Sequence, residues 1–151
     1  IHDIGKVTLM GEPELEGNPL VVEEMHYVRL HPHKGYLVAL ENGYSDTVCE
    51  SILYHHENYD GSGYPYRLEG RNIPMGARIL RGSDVFCALT SDRPYRKAFD
   101  EETAVRLMID EIKNYDMKVF LAFQRVIHRG AHKKVRMPDI SLDVRGELKE
   151  S

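Results

Sequence analysis

Between residues 58 and 74 this chain cannot continue any regular element. Asp60-Gly61, Gly63, Pro65, Gly70 and Pro74 crowd turn-forming residues into one stretch, and each either demands or enforces backbone angles that break a helix or strand. On the N-terminal side Val48, Ile52 and His56 fall at i, i+4 and i+8, with His55 at i+7; this is the period of a half-buried helix. On the C-terminal side a long helix is predicted from about Met75 to Ser91, closed by Pro94. The segment is therefore an ordered loop clamped between helices.

The remainder reads the same way, so the predicted fold class is all-α. Val21, Met25, Val28 and His31 recur at helical spacing until Pro32 interrupts them. A short helix is predicted from His33 to about Leu40, ending near Asn42-Gly43. Ser45 is placed to cap the next helix, with Asp46 in its first turn. Asp100 is placed to cap a helix whose Val105, Met108, Ile109 and Ile112 form an apolar stripe. Val119, Phe120, Phe123 and Ile127 form another. From Gly130 the chain is charged and without a clean period, so the expected division is a domain over 1–129 and a loose tail over 130–151.

Composition limits the function classes. A chain of 151 residues, 42% apolar and 29% charged, suits one globular domain with a real core. No apolar run approaches the roughly 18 residues that cross a bilayer, and no secretory signal pattern is visible. Cys49 and Cys87 do not form a disulfide framework, so a reducing cytoplasm is expected. The net charge of −4 argues against duplex nucleic acid as a partner. Local basic clusters at Arg93, Arg96 and Lys97, and again from His128 to Arg136, suit a small dianion better.

The chemistry lies in the histidines. His31, His55 and His56 all sit where the apolar stripe of a helix would continue, so all three should point inward. Alone, such a histidine is usually a satisfied core residue. Three of them, together with His2-Asp3 and with Asp84 inside another apolar helix, need a common partner, because buried imidazoles and carboxylates are costly unless paired or metal-bound. Imidazole with carboxylate, and no convergent thiolates, favours iron, manganese, zinc or nickel over a structural zinc–cysteine site. Adjacent His55 and His56 would diverge by roughly 100° on a regular helix. They can serve one metal near a helix end, or two neighbouring metals. A binuclear centre suits phosphodiester cleavage, where one metal activates water and both neutralise charge.

These residues also carry a resemblance. His2-Asp3-Ile4-Gly5-Lys6 matches the HD signature, and the run from His55 to Pro65, HHENYDGSGYP, matches the signature of the HD-GYP domain family. His31-Pro32-His33-Lys34-Gly35 resembles the HPxxG segment between them, and Asp84 in SDVFCALTSDRPYR resembles the family's distal aspartate. The four motifs stand in the family's order over about residues 1 to 127.

The resemblance implies an HD-type helical bundle with an ordered GYP loop, and a bacterial signalling phosphodiesterase that hydrolyses cyclic di-GMP to pGpG or on to GMP. By motif position, His2, Asp3, His31, His55, His56 and Asp84 would be metal ligands, with Asp3 bridging. The implied centre is binuclear or trinuclear, with iron first and manganese, nickel or zinc as alternatives. Lys6 and Asp3 would be catalytic; Lys6, Tyr64, Arg93 and Arg96 would bind substrate. The implied partners are a cyclic dinucleotide, a receiver or sensor domain upstream in a longer protein, and a second copy in a homodimer.

Two departures motivate a rival. The family carries a further ligand histidine upstream of the HD pair, a region this chain lacks, and Cys87 stands where the family usually has aspartate. Cys87 is expected to remove a carboxylate that supports the ligands, with thiolate approach to a metal as the alternative. The rival is an HD-GYP module that senses or binds without turnover; a mononucleotide phosphohydrolase is a third reading. His26 and His33 read as partly exposed helix residues; His128 and His132 have the HxxxH spacing that can chelate a metal, but Gly130 between them and the basic surroundings favour a solvated helix end. Glu57 is expected either to orient an imidazole or to face solvent, and Asp60 to fix the turn before Gly61.

Overall fold

The computed structural model describes residues 2, 28–94 and 96–130. Five α-helices and two short 3-10 turns make up their regular structure. Helix α1 spans His31–Glu41, α2 Asp46–Tyr54, α3 Met75–Thr90, α4 Glu101–Asp110 and α5 Met117–His128. No strand occurs among the described residues, where only isolated bridges join Asp60 to Glu69 and Arg93 to Arg96. The fold is all-α, as expected. Among the described residues no helix is long and apolar enough to cross a membrane.

Helix α3 is the hub. It packs on α2 on one side and on α4 and α5 on the other, while α1 packs on α2. Two apolar clusters follow from this. Phe86 of α3 meets Ala104, Met108, Tyr115, Phe120 and Ile127, and Ala39 of α1 meets Cys49 and Ile52 of α2. The α2–α3 contact is close because α3 offers a glycine: a Cβ on Gly76 would lie 2.0 Å from Ser51 Oγ.

Local chemistry explains most of the boundaries. Asp100 accepts the N–H of Thr103 at 2.9 Å and so caps α4. Asp116 caps α5 by accepting the N–H groups of Lys118 and Val119, a cap the periodicity did not reveal. Ser45 occupies the expected capping position of α2, but its backbone carbonyl receives Val48 and Cys49 and its side chain makes no capping bond. Two boundaries differ from expectation. Helix α1 begins at His31 rather than His33, because Pro32 sits in its first turn, where a missing N–H does no harm. Helix α2 stops at Tyr54, before the two histidines predicted to continue it. The expected helix upstream of Val28 and the tail beyond Gly130 lie outside the described residues, as do His26 and His132.

Candidate metal centre

Three elements converge on one point. His31 opens α1, His55 caps the C-terminus of α2, and His56 follows in the turn. Both His31 and His55 are buried, at 1% and 0% exposure. Their ligand atoms, with that of His56, all lie within 4.8 Å of one another. The end of α2 is what permits this: off the regular helix, the adjacent rings stand 4.1 Å apart, inclined by 43°.

Hydrogen bonds fix the tautomers. His31 Nδ1 donates to the Val28 carbonyl at 2.5 Å, and His55 Nδ1 donates to the Ile52 carbonyl at 2.6 Å. A carbonyl can only accept, so each Nδ1 carries the proton and each Nε2 presents a lone pair. Those two Nε2 atoms face each other at 3.4 Å, and His56 Nε2 stands 3.1 Å from that of His31. Two acceptors opposed in a buried site gain nothing from each other, and a cation between them satisfies both. Bonds from the far ring nitrogen to backbone carbonyls are also the support that metal-ligating histidines commonly receive.

The electrostatics agree. Burial, chiefly, pushes the His55 imidazole down to about 4, with the nearby His31 and His2 adding to the effect. Burial, then the neighbouring His55, His31 and Arg81, push His56 down to about 2. Both are neutral near pH 7, the form that binds metal. Asp84 of α3 stands on the other side, with His2 Nε2 3.1 Å from its Oδ1. That hydrogen bond outweighs burial and holds the Asp84 carboxyl down to about 2, so it is ionised. The His2 ring lies edge-on to His55 with centroids 5.2 Å apart. The five described candidates, His2, His31, His55, His56 and Asp84, therefore form one linked group. Neutral imidazoles with one carboxylate fit a divalent transition-metal ion. Asp3 and Lys6 lie outside the described residues.

The loop after His56 folds back over it. Tyr64 donates its backbone N–H to the His56 carbonyl at 3.2 Å and stacks its ring on the imidazole, with centroids 4.8 Å apart and 13° between planes. Arg29 lies over the Tyr64 ring at 5.5 Å. Gly61 and Gly63 have separate jobs. Gly61 adopts φ +81°, and a Cβ on Gly63 would lie 2.3 Å from the Asn58 nitrogen and 2.5 Å from the His56 carbonyl oxygen. Asp60 fixes the turn as expected, its Oδ1 receiving the N–H of Ser62 at 3.0 Å and the Ser62 hydroxyl at 2.5 Å.

Glu57 does neither of the things expected of it. It is buried, and its carboxylate accepts the N–H of Tyr66 at 2.6 Å and of Leu68 at 3.0 Å, pinning the loop from inside. Its place next to the histidine pair, between an apolar helix and a turn-rich segment, was the only available signal.

The two arginines expected near the end of α3 are placed differently from each other. Arg96 was expected to hold substrate, yet its guanidinium donates to the carbonyls of Ala88, Leu89 and Lys97 and lies 4.4 Å over the Phe99 ring. It closes the C-terminus of α3, where exposed carbonyls favour a cation. Arg93 is exposed and is paired through its backbone with Arg96. Cys87 is exposed, and neither it nor buried Cys49 is in a disulfide.

The helical scaffold gathers three imidazoles around the ends of two helices, beside a carboxylate from the middle of a third, in a group that could hold a metal ion. Residues 1–119 match the family described as "HD domain". The chain belongs to that family, in its HD-GYP branch. It is 36% identical over 128 residues to a cyclic di-GMP phosphodiesterase of Pseudomonas aeruginosa, covering 84% of this chain and 31% of that protein. It is 40% identical over 107 residues to a cyclic di-GMP phosphodiesterase response regulator of Xanthomonas campestris pv. campestris, covering 70% and 28%. It is also 37% identical over 125 residues to a 3'3'-cGAMP-specific phosphodiesterase of Vibrio cholerae, covering 80% and 28%. The chain thus spans about a third or less of the length of these relatives.

Proposed function

We propose that the protein is a metal-dependent phosphodiesterase that hydrolyses a cyclic dinucleotide, with cyclic di-GMP as substrate and pGpG or GMP as product. The observation that carries this is the convergence of His31, His55 and His56 beside ionised Asp84, under a loop whose Tyr64 stacks on one of the ligands. The relatives' names supply the substrate class.

The proposed ligands are His2, Asp3, His31, His55, His56 and Asp84, around a binuclear or trinuclear centre. Iron is the favoured ion, with manganese, nickel or zinc as alternatives accepted by the same donors. When bound, such ions activate water and neutralise charge on the reacting phosphate. The chain's own residues do the rest. By motif position Lys6 would contact the scissile phosphate, Tyr64 would contact the ligand, and Arg93 would receive a phosphate or a guanine edge. Arg96 acts indirectly, by fixing the corner that carries Arg93. Water adds to phosphorus, the bond from phosphorus to the 3′ oxygen breaks, and that oxygen leaves as a hydroxyl with a proton.

Residues 1–129 would be the catalytic domain and 130–151 a tail, in a cytoplasmic protein with a receiver or sensor domain upstream and a second copy as partner. The response-regulator relative supports the upstream domain. The inactive-module rival rests on Cys87, and the histidine cluster weighs against it.

The test is direct. The chain is purified anaerobically, its metal content measured, and pGpG followed by chromatography after addition of cyclic di-GMP. Turnover that disappears in His55→Ala and His56→Ala is expected. Full metal loading without turnover overturns the enzyme reading in favour of the sensor module.

A further inference from the structure

Helix α3 carries two arginines one turn apart, and they are used differently. Arg78 is committed to Asp116, with Nη1 2.6 Å from Oδ2. Arg81 has no carboxylate partner among the described residues. It lies three residues before Asp84, on the same face of the helix as that proposed ligand.

The loop holds Arg81 by one atom. Its Nε donates to Asn58 Oδ1 at 2.8 Å. Asn58 Nδ2 donates to Ser62 Oγ at 3.0 Å, and the Ser62 hydroxyl donates to Asp60. This chain of bonds fixes the guanidinium plane while leaving the Nη donors to other acceptors. The side chain is only partly buried, and its charge acts on His56. A cation with an oriented pair of donors thus stands one helical turn from Asp84 and acts on His56, with no ion pair to a carboxylate among the described residues. Arginine in this state is suited to a planar, two-point grip on phosphate.

We propose that Arg81 is a further substrate-positioning residue, whose Nη groups hold a non-bridging phosphate oxygen of the cyclic dinucleotide lying across the His31–His55–His56 face. This rests on the phosphodiesterase reading above and adds to it a contact that the family's motifs do not name. A cyclic dinucleotide carries two phosphodiesters, and a rim cation compensates charge that the metal face alone would leave facing Asp84.

The test uses the metal-loaded full chain with Arg81→Ala, Arg81→Lys and Asn58→Ala. Arg81→Ala is expected to raise KM for cyclic di-GMP by about 10- to 100-fold, as loss of a charge-assisted phosphate contact should. Its kcat should change far less, and its metal content should match the parent. Arg81→Lys should recover part of the loss, and added guanidinium should recover part in Arg81→Ala. Asn58→Ala keeps the charge and should be milder. A KM for Arg81→Ala within about twofold of the parent overturns the proposal. So does an Asn58→Ala defect as large as that of Arg81→Ala with no rescue by guanidinium, since Arg81 would then only brace the loop. Binding of pGpG, measured by calorimetry, separates this from the functional reading. A parent chain that never turns over but loses pGpG affinity on Arg81→Ala would defeat the phosphodiesterase assignment and keep the contact. Affinity unchanged by Arg81→Ala would defeat the contact alone.

Discussion

The Glu57 carboxylate receives the backbone N–H of Tyr66 at 2.6 Å, from a position immediately after His56. With the second bond from Leu68 at 3.0 Å, one buried side chain holds the middle of the loop at two points. Glu57→Ala would leave two N–H groups unsatisfied and is expected to cost about 2–3 kcal/mol. Glu57→Gln should cost less, since its amide oxygen still accepts one of them. Denaturant unfolding gives the magnitude, and hydrogen exchange of the 58–70 amides locates it. Unchanged exchange in Glu57→Ala would contradict this role.

Gly63→Ala should fail for a different reason. The new methyl would meet backbone on two sides, 2.3 Å from the Asn58 nitrogen and 2.6 Å from the Glu57 Cα, neither of which can rotate away. The loop must move, carrying Tyr64 off His56. Loss of turnover with a near-normal metal content is the expected result. Gly43→Ala is the comparison: nothing lies within 4 Å there, and only its φ of +73° resists the change, at about 1 kcal/mol.

His55→Ala should weaken metal binding by at least about 100-fold, since even residues supporting a ligand contribute 10- to 100-fold. Metal content after gel filtration measures this. His33→Ala is the control on the same helix as His31. His33 is exposed and stacks on Tyr36, so its loss should leave metal content unchanged.

Asp116 makes a pH prediction. Burial opposes its ionisation, but the Arg78 side chain and the Val119 and Lys118 N–H groups outweigh burial and hold its carboxyl below the usual range. A depressed carboxyl contributes stability that is complete at neutral pH. That contribution is lost as pH falls below about 4 and passes through the folded-state value. Asp116→Ala leaves the largely covered Arg78 without its carboxylate and uncaps α5, so about 3 kcal/mol should be lost at pH 7. The difference between parent and variant should shrink as pH drops toward 2, measured by thermal unfolding across the range.

Much of this architecture was legible in the residues. Asp100 announced α4, and the spacing of Val105, Met108 and Ile112 announced its buried face, because both signals are local. The inward aim of His31, His55 and His56 was legible from the apolar stripes they extend. The end of α2 was not. Tyr54, His55 and His56 have no strong intrinsic preference against helix, and tertiary contacts with the loop decide where the helix stops. The burial of Glu57 and the commitment of Arg96 to helix carbonyls were hidden for a related reason. A charged side chain read in isolation looks solvent-facing or ligand-facing, and only its distant backbone partners say otherwise.

His31 and His55 each take their supporting bond from a carbonyl three residues earlier on their own chain segment. Each ring thus takes one support from its own element, which an ion does not supply. The centre therefore behaves as a socket rather than a clasp: removing the metal should leave both imidazoles aimed where they were. Demetallation and reloading become reversible exchange at a standing geometry, so different divalent ions can be compared on one unchanged scaffold.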